Sequence, residues 1–391
     1  MVFLRRYTMR KVKTLSRRHF LKYGGSAFAA ASVIPAAAQT VPDSLKKASK
    51  ETTFEYRTLG RTGLRYSILG YGAMRTSDPA VISRAIDMGI NNIDTARGYM
   101  DGENEKIVAK GLGDRRKQIY VTTKIRVSEP KYMMEDLELS LKALDTDYVD
   151  VLLLHARRNK EQLLDEESRA FIEKAKKEGK TRFAGFSTHR NMAELVEVAT
   201  EDKFFDVILT SYNFKSDERL QKAVAKAAQA GIGIIAMKTQ SGGYENENMK
   251  PATPHQASLR WVWKDPSVTC AIPAMVTFEQ LEENVAAQEI HFGQRDQLHL
   301  QKYAETVQDR LCRFCDQCAG QCSNQASIPD INRCLMYAEG YRDYYLAFQN
   351  YKELDSSENL AACQNCSECT VRCKYGVDVA YNVKRAKELF V

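Results

Sequence analysis

From residue 67 to residue 286 the chain alternates short apolar runs with longer stretches in which apolar residues return every three or four positions. The runs at 67–72, 90–95, 119–124, 149–155, 182–187, 205–210, 232–238 and 268–272 read as parallel strands buried on both faces. The stretches 79–88, 104–112, 132–144, 167–178, 192–200, 218–230, 254–264 and 277–286 carry the period of helices that pack by one face. Eight such repeats predict an α/β fold, a closed (β/α)8 TIM barrel in preference to an open doubly wound sheet. No G-x-G-x-x-G motif follows a strand, which also counts against the open dinucleotide-binding type. The tract 53–64 (TFEYRTLGRTGL) predicts a small hairpin across the barrel floor.

The pattern changes near residue 300, so the barrel is expected over 53–300 and a second, mostly helical domain over 301–391. That second part holds eight of the ten cysteines, as Cys312, Cys315, Cys318, Cys322 and then Cys363, Cys366, Cys369, Cys373. Both runs read C-x2-C-x2-C-x3-C. Disulfides would not require one interval twice, and structural zinc usually takes two knuckles of two ligands. The spacing suits the thiolates of a four-iron cluster, and two [4Fe-4S] clusters are expected. The tail resembles the bacterial-type two-cluster ferredoxins. That resemblance implies a crossed ligand set, Cys312, Cys315 and Cys318 with Cys373, and Cys363, Cys366 and Cys369 with Cys322. The tail departs from those ferredoxins at Ser323 and Lys374, where proline is usual, and in its long helical linker, whose Cys334 is expected to pack as a small apolar residue.

Charge is concentrated at the other end. Residues 1–22 hold eight Lys or Arg and no acid, with Arg17-Arg18 ahead of an uncharged stretch, 23–38, that ends in Ala36-Ala37-Ala38. This resembles a twin-arginine export signal, a route for proteins already folded around their cofactors. Residues 1–38 are read as that signal peptide and 39–52 as a linker, which places the mature protein in the periplasm or another extracytoplasmic space. The formal charge of +7 belongs mostly to this peptide: without its eight positives, 49 basic residues face 50 acidic ones. The mature chain therefore offers no electrostatic case for nucleic acid, and no stable transmembrane span is expected after cleavage.

A barrel places its chemistry at the carboxyl ends of its strands. Asp94, Lys124 and His155 end the second, third and fourth expected strands, and Tyr99 lies in the loop after Asp94. A phenol can exchange a proton with a carbonyl or alcohol oxygen. Lys124 beside it favours the phenolate, Asp94 holds Lys124 charged, and His155 orients the same oxygen. Together they suit the protonation half of a hydride transfer.

Residues 53–290 resemble an aldo/keto reductase. The match includes LGRTGLRYSILGYGAM at 59–74, IDTARGY at 93–99, Lys124 after a threonine pair, His155 after three leucines, GFS at 185–187, SYN at 211–213 and IPA with LEEN in 272–284. The resemblance implies that Asp94, Tyr99, Lys124 and His155 are the catalytic residues. It also implies an NAD or NADP site. Ser187 would grip the carboxamide with Thr188 in the place of an asparagine, Tyr212 would stack on the nicotinamide, Lys238 would meet the pyrophosphate, and Gln280 and Asn284 the adenine side. Leu209 stands where the resemblance expects a glutamine. No cation follows Ile272-Pro273-Ala274 to meet a 2′-phosphate, which favours NAD over NADP, or no exchangeable dinucleotide at all.

The expectation is an exported oxidoreductase interconverting a carbonyl and an alcohol, with sugar-like molecules a plausible class. The clusters would relay electrons to a redox partner protein. The rival is an electron-transfer or docking protein whose barrel binds a ligand without nicotinamide-dependent turnover.

Overall fold

The structure, a computed structural model, describes residues 54–244 and 254–391; the expected signal peptide at 1–38 and linker at 39–52 lie outside the described residues. Strands β1 (Tyr56–Thr58) and β2 (Arg65–Ser67) pair antiparallel, the hairpin expected at the barrel floor. The chain then runs through β3 (Tyr71–Gly72), α1 (Pro79–Asp87), β4 (Asn92–Asp94), α2 (Glu103–Leu112), β5 (Tyr120–Ile125), α3 (Pro130–Leu144) and β6 (Val149–Leu154). After α4 (Lys160–Leu163) and α5 (Glu166–Lys177) come β7 (Thr181–Thr188), α6 (Met192–Asp202), β8 (Val207–Ser211), α7 (Glu218–Gln229) and β9 (Gly233–Met237). Helix α8 (Pro254–Trp263), β10 (Cys270–Ala271) and α9 (Phe278–Ala286) complete the series.

Strands β3 to β10 lie side by side in chain order, all parallel. Parallel bridges Leu69–Ala271 and Gly72–Ala274 join the first of them to the last, and the Gly70 amide donates to the Ala271 carbonyl at 2.8 Å. The sheet thus closes into a TIM-barrel-like fold. Burial on both faces explains the continuous apolar runs. Along β6, Val151 and Leu153 pack inside the barrel with Leu59, Tyr66, Leu209 and Ile235, while Leu152 and Leu154 face the helices. The exception is Asp150, buried yet accepting from the Val121 amide, Arg116 and Arg182 at 3.0, 3.1 and 2.8 Å. Helix starts are set locally: Asp78, Asp165, Asp217 and Thr277 accept amides two or three residues on.

Helix α10 (Gln294–Val307) packs on α8 through the buried Arg260–Asp296 ion pair at 2.7 Å, and its Tyr303 and Val307 belong to the barrel's core. Residue 300 therefore falls within a helix of the barrel, not at a break. Helices α11 (Ile328–Glu339), α12 (Tyr344–Lys352) and α13 (Val379–Phe390) follow. Every residue of α11 from Ile328 to Ala338 is buried. Met336, Tyr337 and Ala338 join the barrel's core; Ile328, Ile331 and Cys334 join a second core with Leu354, Cys363, Val379 and Val383. At the end of α11, a Cβ on Gly340 would sit 2.3 Å from the Gly242 carbonyl oxygen, so only glycine allows this approach to the loop after β9. Among the described residues no helix is long and apolar enough to cross a membrane.

Candidate active site

The Lys124 amine, on β5, donates to Asp94 Oδ1 at 2.5 Å, to the Thr95 carbonyl at 2.6 Å and to the Tyr99 hydroxyl at 3.3 Å. Adjacent parallel strands bring Asp94 and Lys124 together, and His155 follows directly on β6. Its ring meets that of Tyr99 edge to face, with centroids 5.8 Å apart. The loop that carries Tyr99 is pinned from below: Arg97 pairs with buried Glu105 at 2.6 Å, and Glu105 accepts from Thr123 at 2.7 Å. Just past Tyr99, Met100 and Asp101 take the left-handed backbone, φ 50° and 52°, a strained turn at the mouth of the site. All four residues expected to be catalytic therefore converge.

Lys124 is 1% exposed. Burial favours its neutral form, yet Asp94 and Tyr99 hold its amine above the ordinary lysine value. Burial also raises the Tyr99 phenol, against the pull of Lys124. Lys124 does pull toward the phenolate as expected, but desolvation outweighs it and Tyr99 rests as the phenol. His155 is pushed well below the usual histidine range by burial and then by Lys124, Arg126, Arg157 and Arg333, so it is neutral near pH 7. Its Nδ1 is buried without a hydrogen-bond partner.

The C-terminal segment covers this mouth. Loops after five strands each send a cation to it: Arg75 after β3 to Asp343 (3.2 Å), Arg126 after β5 to Glu353 (2.6 Å), and Arg158 after β6 to Glu358 (3.0 Å). Arg190 after β7 reaches Asp316 and Asp330 at 2.9 and 2.8 Å, and Lys238 after β9 donates to the Tyr337 hydroxyl at 3.2 Å. Asp330 is 1% exposed and also accepts from Arg333 at 3.1 Å. Although burial opposes it, Arg333, Arg158 and Arg190 hold the Asp330 carboxyl well below the usual range.

Between barrel and helices lies a cavity of about 300 Å³. It is lined by Asp94, Tyr99, Lys124 and His155 and, from α11, by Arg333 and Tyr337. Of the residues expected at a dinucleotide, Ser187, Lys238, Gln280 and Asn284 line it too. Their polar groups are engaged: Ser187 Oγ accepts from the Ala156 amide, Gln280 from the Val276 amide, and Asn284 from Gln240. Two expectations are corrected. Tyr212 is 1% exposed, with its ring on Trp261 and its hydroxyl donating to Asp265 at 2.5 Å, so it cannot stack on a nicotinamide in this cavity. Thr188 is buried and its hydroxyl donates to the Arg190 carbonyl, shaping the turn after β7 instead of gripping a ligand. Arg157 and Arg158 serve the fold, bonding the His155 carbonyl and the C-terminal acids.

Sequence reasoning passed over Arg333 and Tyr337. The available signal was an Asp, an Asn and an Arg among the apolar positions of one helix, 328–339, a group that is buried only with partners.

None of the ten cysteines is in a disulfide. The two runs lie against each other: the Arg372 amide donates to Gln321 at 2.9 Å, and Asn324 donates to the Ala362 carbonyl and to Cys366 Sγ at 3.0 and 3.1 Å. Burial raises the thiols of Cys312, Cys315 and Cys318, and Cys373 adds to the rise in all three. For Cys363, burial likewise leads, with Cys322, Cys366 and Cys369 contributing. Cys318, Cys322, Cys369 and Cys373, from both runs, pack against the core that contains Cys363. Among the described residues no group of three or more His, Cys, Asp or Glu is arranged to hold a metal ion. Cys334 is buried in the second core and Cys270 against Asn92.

The family model that matches the chain, at residues 69–255, is that of the aldo/keto reductase family. Methylglyoxal reductase DkgB of Escherichia coli O157:H7 is 32% identical over 246 residues, 58% of this chain and 89% of that protein. L-galactose dehydrogenase of Arabidopsis thaliana is 28% identical over 283 residues, 60% of this chain and 88% of that protein. Among solved structures, a thermostable aldo-keto reductase in complex with the inhibitor epalrestat superposes with a TM-score of 0.54 at 27% identity, covering 63% of this chain and 99% of that one. An aldo-keto reductase from Bacillus halodurans gives 0.55 at 23% identity, over 64% and 96% of the two chains, a likeness of fold.

Proposed function

We infer that this chain, which belongs to the aldo/keto reductase family, is an oxidoreductase that interconverts a carbonyl and an alcohol with Tyr99 moving the proton. One observation carries this reading: a single buried ammonium, Lys124, joins Asp94 to the Tyr99 hydroxyl at the floor of the cavity. In the reducing direction the substrate carbon gains a hydride and its oxygen gains a proton from Tyr99. Lys124 stabilises the phenolate left behind, and Asp94 keeps Lys124 in place and charged. His155, neutral, donates a ring N–H hydrogen bond to the same oxygen and polarises it. The proton returns to Tyr99 from solvent; oxidation reverses each transfer.

The residues present fit a nicotinamide dinucleotide at its two ends, since Ser187 beside the catalytic group and Gln280 and Asn284 on α9 line one continuous cavity. When bound, it supplies or accepts the hydride. The absence of a cation in 274–277 favours NAD. The names of the two relatives, a reductase of methylglyoxal and a dehydrogenase of L-galactose, support small oxygenated substrates, sugar-like ones included.

The cysteines fit two four-iron clusters in the crossed arrangement, because Cys373 adds to the rise of the Cys312 thiol and Cys322 to that of Cys363. A cube's corners hold thiolates farther apart than a single ion does, so the lack of a single-ion cage is consistent with this reading. Cys312, Lys238 and Met336 line one small cavity behind the loop after β9, so the first run is close to the active cavity. When bound, the clusters supply sites for single electrons that a redox partner could exchange. The twin arginines and the apolar stretch after them support export of the folded protein by the twin-arginine route to the periplasm.

Anaerobic purification of the mature protein, followed by iron, sulfide and nucleotide analysis, tests this reading. About eight iron and eight sulfide per chain are expected, with a bound or bindable dinucleotide and a mass lacking residues 1–38. Protein without iron and with no affinity for either dinucleotide contradicts it.

A further inference from the structure

The cavity contains a second phenol arranged like the first. The Tyr99 hydroxyl accepts from the Lys124 amine at 3.3 Å; across the cavity the Tyr337 hydroxyl accepts from the Lys238 amine at 3.2 Å. A lysine ammonium is donor only, so in each pair the phenol oxygen is the acceptor and its own hydrogen remains to be placed. Among the described residues neither hydroxyl donates to a protein acceptor. Both side chains line the cavity, and Tyr337 is 3% exposed, held by α11 between Arg333 and the ring of Tyr341. A buried hydroxyl without an acceptor is costly, so a ligand oxygen there completes the network. The two phenols are near enough for the charge of Tyr337 to act on Tyr99. Although burial opposes it, Lys238 and Arg333 lower the Tyr337 phenol, which strengthens it as a donor.

We propose that Tyr337, backed by Lys238, is a specificity-determining residue that donates a hydrogen bond to a second oxygen of the substrate while Tyr99 serves the reacting one. The substrate class is then a hydroxycarbonyl or dicarbonyl compound rather than a simple aldehyde or ketone. This deepens the carbonyl–alcohol reading and rests on it. It also assigns the C-terminal module a direct part in substrate selection, since α11 supplies the residue. No proton is transferred at Tyr337 and no electron moves; the contribution is binding and orientation.

The test uses the full mature protein with hydroxyacetone and acetone as probes, their binding followed by saturation-transfer NMR and their turnover with dinucleotide. The wild type is expected to bind hydroxyacetone about tenfold more tightly than acetone, the effect of one good hydrogen bond. Tyr337→Phe should abolish that preference, weakening hydroxyacetone binding about tenfold more than acetone binding, and Lys238→Met should reduce it in part. For turnover, Tyr337→Phe should lower kcat/KM for hydroxyacetone, through KM, about tenfold more than it lowers kcat/KM for acetone. A preference that survives in Tyr337→Phe, equal losses for both probes, or no preference in the wild type overturns the proposal. Intact preference without turnover of either probe leaves the Tyr337 assignment standing and counts against the oxidoreductase reading.

Discussion

Lys238 of the barrel and Tyr337 of α11 meet at 3.2 Å, amine to hydroxyl, across the seam between the catalytic barrel and the cysteine-bearing tail. The tail is therefore part of the active-site wall. Loops after β3, β5, β6, β7 and β9 all send a cation into it, so removing the tail would strip the cavity of one side and leave several charges without partners.

Replacing Lys124 with Met leaves Asp94 as an uncompensated carboxylate in a dry site. Turnover is expected to fall about 10²–10⁴-fold, and stability at pH 7 to fall by about 3–5 kcal/mol. An unpaired buried carboxyl has its folded-state pKa raised, so the loss should shrink as pH falls and the group is neutralised. Thermal unfolding at pH 7 and pH 5 checks both points; an equal loss at the two pH values would argue against a buried charge at Asp94.

Reduction requires Tyr99 protonated and His155 neutral. Burial raises the one and lowers the other, so both conditions hold from below to well above neutrality. The profile of kcat/KM for reduction should be flat from pH 6 to 8, falling only above about pH 10, the ordinary tyrosine value. An inflection near pH 6.5 would show that His155 titrates as a free imidazole and would contradict its described setting.

Asp330 joins the barrel to α11 by accepting from Arg190 and Arg333. Its folded-state pKa is depressed, after burial by Arg333, Arg158 and Arg190, so its stabilisation is present above the unfolded value of about 4 and is lost as pH falls further. Asp330→Asn should cost about 3–5 kcal/mol at pH 7 and should reduce the acid sensitivity of unfolding below pH 4. Melting curves at pH 7 and pH 3 measure this, and a wild-type-like variant at pH 7 would mean that the buried arginines find other partners.

The proposed crossed ligation of two clusters makes a specific statement about one cysteine. Cys373→Ser should impair the cluster of Cys312, Cys315 and Cys318 and spare that of Cys363, Cys366 and Cys369. Iron analysis and electron paramagnetic resonance of the reduced protein separate the cases. Loss of the second cluster alone would instead place all four cysteines of each run on a single cluster.

The barrel and the convergence of Asp94, Tyr99, Lys124 and His155 were legible because each depends on local pattern. Doubly buried strands such as β6 read as apolar runs, and parallel neighbours bring Asp94 at the end of β4 next to Lys124 on β5. The pull of Lys124 on Tyr99 was legible too, but the depth of burial that outweighs it is set by tertiary packing and is not written in the sequence. Tyr212 and Thr188 were placed by resemblance, and the register in which β8 and β7 end turned both away from the cavity. Arg333 and Tyr337 were out of reach for a different reason. Their helix is remote in sequence from the barrel mouth, and only tertiary docking, through Asp330 and the Gly242–Gly340 contact, brings it there.

The central claim is that Tyr99 is the proton donor of a carbonyl reduction, and kcat of Tyr99→Phe with dinucleotide affinity measured in parallel tests it most directly. A fall of about 10²–10⁴-fold in kcat with dinucleotide binding unchanged is the predicted result. Turnover retained at the wild-type rate would contradict it.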